Sequence, residues 1–105
     1  LITIEKLCEV CHDDTIRMTQ HMALRCEERG IEYETIKKAI QNGEIIEQYP
    51  SDYPYPSCLI FHRSESNKCL HIVVGLGDGL LWLITAYYPD ADEWENDYKT
   101  RKAGI

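Results

Sequence analysis

The stretch Cys69–Tyr88, CLHIVVGLGDGLLWLITAYY, decides the fold. Cys69–Gly75 alternates, with Leu70, Ile72 and Val74 on one side and His71, Val73 and Gly75 on the other. That period of two is the mark of a strand with one buried face. Leu80–Tyr88 is rich in branched and aromatic residues and reads as a second strand, ended by Pro89-Asp90. Only a short loop with Gly77, Asp78 and Gly79 separates the two. A parallel pair would need a long crossover, so this pair is antiparallel.

Working outward, Cys58–His62 is a strand joined to Cys69–Gly75 by the polar turn RSESNK, and Glu44–Tyr49 is another. The link PSDYPYPS holds three prolines, each lacking a backbone donor. Upstream the period becomes helical. Thr3 caps a first helix with Ile4, Leu7, Cys8 and Cys11 on one face. Asp13 or Asp14 caps a second, which runs to Arg29 and stops at Gly30. IEYETIKKAIQNGE is a third, with Ile36, Ala39 and Ile40 as its apolar stripe and Asn42-Gly43 as its end. Downstream, Asp92 caps a last helix through Trp94, Tyr98 and Lys99. The expected fold is α+β: two to three N-terminal helices on a four-stranded antiparallel sheet, with a C-terminal helix, in a single domain spanning 1–105.

Composition narrows the function. Disordered chains are poor in aromatic residues, and this one has seven Tyr and two Trp. No apolar run approaches the ~18–20 residues of a membrane span, and the start lacks the pattern of a signal peptide. Five Cys at irregular spacing argue against a disulfide framework, so the expected compartment is the cytoplasm, with no membrane partner. A net charge of −7 opposes general adhesion to nucleic acid. Charge is uneven, however: Phe61–His71 holds His62, Arg63, Lys68 and His71 against one Glu.

Four sets of residues could carry chemistry. RMTQHMALRCEER places Arg17, His21, Arg25 and Arg29 at intervals of four, rotated by about 40° from one another on a helix. An ordinary surface pair of Arg25 with Glu28 competes with a role in anion binding. Arg29 marks the helix end, and Arg17 reads as solvated surface. His71 faces away from the apolar side of its strand, where it could exchange protons, although a lone His in such a place is commonly structural. Thr85 and Tyr87 share a strand face and could contact a phosphate or a base; both are also ordinary strand residues. Cys8, Cys11 and His12 have a metal-like spacing, but no second paired knuckle exists. The two thiols fit a buried helix face, so neither metal nor cofactor is expected. GLGDG matches no phosphate-binding loop.

Five segments in order, HMALRCEERGI (His21–Ile31), AIQNGEIIEQYP (Ala39–Pro50), YPSCLIF (Tyr55–Phe61), LHIVVG (Leu70–Gly75) and LLWLITAYYPDADEW (Leu80–Trp94), resemble the domain-of-unknown-function family 4258. The resemblance covers about four-fifths of the chain, from His21 to Arg101. That family looks related to the RelE- and BrnT-type ribonuclease toxins. The kinship implies a toxin of a toxin–antitoxin pair, a metal-independent endoribonuclease. It implies RNA, free or ribosome-bound, as substrate, and a protein antitoxin with an MqsA-like zinc finger as partner. Carried onto this chain, it makes His21 and His71 the acid–base pair and Arg25 the phosphate clamp, with Arg29, Thr85 and Tyr87 positioning the substrate. The chain departs from RelE-like nucleases in being acidic and in having fewer cations near its last strands. The rival expectation is a non-catalytic protein-interaction domain, suited by the many Tyr. A thiol- or metal-dependent sensor using Cys8 and Cys11 is a third.

Overall fold

The computed structural model describes residues 1–103. Its elements are α1 (Ile4–Glu9), β1 (Ile16–Met18), α2 (Gln20–Arg29), α3 (Tyr33–Asn42), β2 (Glu44–Tyr49), β3 (Ser57–Arg63), β4 (Cys69–Gly77) and β5 (Leu80–Tyr87). The class is α+β, three helices packed against a five-stranded mixed sheet of order β1-β5-β4-β3-β2. The last four strands form the expected antiparallel meander.

The fifth strand is a correction. The second helix does not begin at Asp13 or Asp14. Ile16–Met18 is extended and pairs in parallel with Leu81–Leu83 on the outer edge of β5. The Leu81 amide donates to the Thr15 carbonyl at 2.9 Å and leads the chain into that pairing. Helix α2 starts only after Thr19, whose hydroxyl accepts from the Met22 amide, and ends at Gly30 in the left-handed region (φ 68). The three-residue strand is too short to show a period of its own, and its partner lies over sixty residues away in sequence.

Helix α1 begins at Thr3 as expected, with the Thr3 side chain accepting from the Lys6 amide. Helix α3 ends before Gly43 for a reason the sequence conceals. Gly43 is not left-handed (φ −87); a Cβ there would lie 2.3 Å from the Ala39 carbonyl oxygen and 2.7 Å from Ile60. Close packing of α3 on β3 sets the choice.

All three helices lie on one face of the sheet. Leu7, Cys11, Met22, Cys26, Ile36, Ala39 and Ile40 pack there against Cys58, Ile60, Leu70, Ile72, Val74, Leu81, Leu83 and Ala86. Burial raises the Cys11 thiol above its ordinary range. Among the described residues no group of three His, Cys, Asp or Glu is placed to hold a metal, and no helix is long and apolar enough to cross a membrane.

Two bulges set what the other face presents. In β5 the register slips so that Val73 faces Thr85 while Val74 faces Leu83. One extra residue inverts every side chain beyond it. Leu81, Leu83 and Ala86 thereby all reach the core, and Thr85 and Tyr87 turn to the open face. In β2 a slip between Ile45 and Glu47 turns Glu47 to that same open face as Glu44.

The expected C-terminal helix is absent. Residues 93–102 form a small hairpin, with Trp94 opposite Arg101, Glu95 N–H donating to the Thr100 carbonyl and Lys102 N–H to the Glu93 carbonyl. Asp97 makes its turn, accepting from the amides of Lys99 and Thr100 and from the Thr100 hydroxyl. An acidic residue that bonds its own downstream amides competes with helix formation, and here it wins.

Candidate functional site

On the open face one row crosses four strands at a single end of the sheet: Glu44 opposite Phe61, Phe61 opposite His71, His71 opposite Tyr87. His71 lies at its centre and is fully buried (0% exposed). The C-terminal hairpin covers it. Trp94, itself 1% exposed, meets the imidazole edge-on at 4.5 Å between centroids. The His71 Nε2–H donates to the Tyr98 carbonyl at 2.7 Å. A carbonyl can only accept, so the neutral ring carries its proton on Nε2 and its lone pair on Nδ1. The Tyr87 hydroxyl stands 3.4 Å from Nδ1 and can donate to it.

Burial holds His71 below the ordinary histidine range, against the opposing pull of the Tyr98 carbonyl and Glu47. Burial also raises the Tyr87 hydroxyl. At neutral pH the pair is therefore a neutral imidazole beside a protonated phenol. Below it, Glu47 accepts from Arg101 at 2.8 and 3.1 Å and from the Tyr49 hydroxyl. Burial pushes the Glu47 carboxyl up, but those donors outweigh it and hold the group below the usual carboxylate range. Tyr49, desolvated and donating to Glu47, is pushed up to about 12.

The expected residues divide between two layers. His71 and Tyr87 meet, and Thr85 shares their face two register pairs away, opposite Val73. His21 and Arg25 do not join them. Both are exposed on α2, whose buried Met22 and Cys26 lie in the core on the opposite side of the sheet. Arg25 pairs with Glu28 at 3.2 Å, the side chains 47% and 50% exposed. Arg29 reaches the sheet edge, where its guanidinium donates to the Ala86 carbonyl at 2.7 Å beyond the end of β1. Arg17 belongs to β1 and donates to the carbonyls of Asp14 and Ile16. The interval of four that joined these residues is broken at Thr19.

Cations gather at the end of the sheet that carries His71. Arg63 ends β3, Lys68 precedes β4 with Nζ 4.0 Å from the Tyr88 ring centroid, and Lys99 lies 5.1 Å from that of Phe61. With Arg29 and Arg101 these are five of the eleven Lys and Arg in the chain, and two of them, Lys99 and Arg101, are paired with Glu44 and Glu47. Further along the open face a groove of about 340 Å³ runs over Gly75 between Trp82, Ile84, Tyr53 and Pro54. Tyr55 stacks on Trp82 there at 5.7 Å.

The family model described as Domain of unknown function (DUF4258) matches residues 18–88. The chain belongs to the DUF4258 family. The match takes in α2 through β5, and so includes His21, Arg25, Arg29, His71, Thr85 and Tyr87. The hairpin over His71 lies beyond the DUF4258 match, as do α1 and most of β1. No curated protein matches the chain.

Glu47, Tyr49, Trp94 and Arg101 were not singled out from the sequence. Glu47 reaches the open face only through the bulge after Ile45. Trp94 and Arg101 become neighbours only through the Asp97 turn, which stacks the Arg101 guanidinium 4.6 Å from the Trp94 ring. The one available signal was Asp97 followed by Thr100, a turn-forming combination.

Proposed function

We propose that this protein is a toxin-like endoribonuclease that acts on RNA without a metal ion, with His71 and Tyr87 as its reacting pair. The observation that carries this reading is a neutral, oriented imidazole beside a protonated phenol, at the end of the sheet where the cations gather. Cleavage needs a base for the 2′-OH, an acid for the leaving 5′-oxygen and positive charge at the phosphate. His71 Nδ1 takes the 2′-OH proton, the 2′-oxygen attacks phosphorus, and the 5′-oxygen leaves with a proton from Tyr87. The products are a 2′,3′-cyclic phosphate and a free 5′-OH. Arg29, bonded to the Ala86 carbonyl, and Arg63 and Lys68, at the same end of the sheet, are the candidates for positive charge at the phosphate. Thr85 supplies a hydroxyl beside Tyr87. This assignment replaces the pairing of His21 with His71, which the sheet separates, and returns Arg25 to its pair with Glu28. Under this reading the partner is a protein antitoxin, one with an MqsA-like zinc finger, and the compartment is the cytoplasm.

Expression of the wild type should arrest growth, and the purified protein should cleave RNA in EDTA. His71→Gln keeps a donor for the Tyr98 carbonyl but loses the base. It should lower cleavage by about 10²–10⁴-fold, with a cooperative unfolding transition retained at about pH 7.5, above the range where His71 titrates. Full cleavage by that variant would remove His71 from the reaction.

A second reading has its own support. Both ring nitrogens of His71 are satisfied within the protein, as in a structural histidine, and the aromatic groove over Gly75 leaves Tyr53 90% and Ile84 47% exposed. A non-catalytic protein-interaction domain would use that groove. It predicts stable capture of a partner protein, weakened by Trp82→Ala, with no RNA cleavage under any condition.

A further inference from the structure

We propose that the hairpin 93–102 is a displaceable cover over the His71–Tyr87 pair, latched by ion pairs to Glu44 and Glu47 and released by a polyanion that competes for its cations. The proposal rests on reading His71 and Tyr87 as the reacting pair and concerns how that pair is reached.

The hairpin is organised on its own terms. Three backbone hydrogen bonds, the Asp97 turn and the stacking of Arg101 on Trp94 are all internal to it. One of its residues, Tyr98, is held in the left-handed region (φ 56), an uncommon and costly state for an aromatic side chain. Its docking to the sheet is of a different kind. It consists of the Trp94 ring on His71, the Tyr98 carbonyl on His71 Nε2, Arg101 on Glu47 and Lys99 on Glu44.

The two ion pairs are half-exposed: 43% and 24% for Arg101 and Glu47, 38% and 58% for Lys99 and Glu44. Pairs of that exposure are weak and screened by salt. The hairpin follows Pro89 and Asp90 and lies outside the family match at 18–88, whereas the site it covers lies inside. The polar latches are weak, and the buried contact of Trp94 with His71 is what a competing ligand for the hairpin's cations must offset for the unit to undock. While docked, it closes the site, because Trp94 covers the imidazole edge and His71 is fully buried; on undocking, Nε2–H exchanges the Tyr98 carbonyl for water and the Tyr87 hydroxyl remains the partner of Nδ1. Arg101 and Lys99 are also the cations that an incoming phosphate chain would draw away from Glu47 and Glu44.

The test uses the full chain. Trp82→Phe leaves Trp94 as the sole tryptophan, so acrylamide quenching reads whether the hairpin is docked. Polythymidylate is the polyanion, since it offers phosphates but no 2′-OH and cannot be cleaved by the proposed chemistry. Adding it should raise quenching of Trp94. Glu44→Gln with Glu47→Gln should raise it without any polyanion. In that double variant, diethylpyrocarbonate should acylate His71 about fivefold or more faster relative to exposed His21, the change expected from losing two weak surface ion pairs.

Trp94 shielded in both arms, with far-UV circular dichroism unchanged, would make the hairpin a fixed part of the fold and overturn the proposal. If the double variant fails to fold, the polythymidylate arm decides alone, because it uses intact latches. RNA cleavage is scored separately. Opening without cleavage sinks the nuclease reading and leaves the cover standing; cleavage with Trp94 permanently shielded does the reverse.

Discussion

The two histidine–arginine neighbourhoods of this protein differ in sequence and in space: His21 and Arg25 lie about one helical turn apart, while His71 and Arg101 come from distant segments. His21 and Arg25 ride the solvent side of α2, with Arg25 spent on Glu28. His71 and Arg101 lie on the far side of the sheet, one fully buried and the other clamped to Glu47. The first pair is free in geometry and held by little. The second is fixed by backbone register, a carbonyl, a carboxylate and an indole. Pre-organisation, more than residue type, separates a solvated helix face from a place where a proton can be held on a chosen atom.

Removing the imidazoles gives the sharpest break. His71→Ala leaves a cavity under Trp94 and an unmatched Tyr98 carbonyl, and should cost about 2–4 kcal/mol in urea unfolding. His21→Ala should stay within about 0.5 kcal/mol. Equal costs would erase the distinction between the two regions.

A pH series comes next. The folded His71 sits below its ordinary value of 6.5, so the unfolded chain binds the proton more readily. The associated stability is present above that value and is lost as pH falls through the folded pKa, at no more than about 1.4 kcal/mol per pH unit for one proton. Unfolding between about pH 7.5 and 5.5, above the carboxylate range, should show the loss in wild type, and His71→Gln should flatten it. An unchanged slope in His71→Gln would place the titrating group elsewhere.

Arg101→Ala should cost about 1 kcal/mol, since its partner Glu47 is only partly exposed, and should raise the quenching of Trp94. The smallest effect belongs to Arg25→Ala. Its helix pair with Glu28 should contribute about 0.3–0.5 kcal/mol, disappearing at high salt. A loss above that of Arg101→Ala would reverse the ranking of the two neighbourhoods.

Much of the fold was legible. Strands β2 to β5 fall within two residues of their expected limits, because alternation and turn residues report a half-buried strand locally. Thr3 and Gly30 mark helix ends through their own side chain and backbone freedom. His71 was legible as a residue off the apolar side of β4, and Thr85 and Tyr87 as partners on one face. Its burial was not legible, because nothing on β4 shows that residues 93–102 fold back over it. The C-terminal helix failed for a related reason: Asp92 resembled a cap, while Asp97, five residues on, closed a turn.

By itself, then, the sequence determined the α+β class, the antiparallel meander, the helix ends at Thr3 and Gly30 and the acidic charge, all set by near neighbours along the chain. Tertiary structure alone decided that Ile16–Met18 joins β5 as a parallel edge, that two bulges turn Glu47, Thr85 and Tyr87 to the open face, and that His21 and His71 lie on opposite sides of the sheet. Those outcomes depend on pairing and packing between segments distant in sequence. Their free energy is released only on contact, and no local pattern records it.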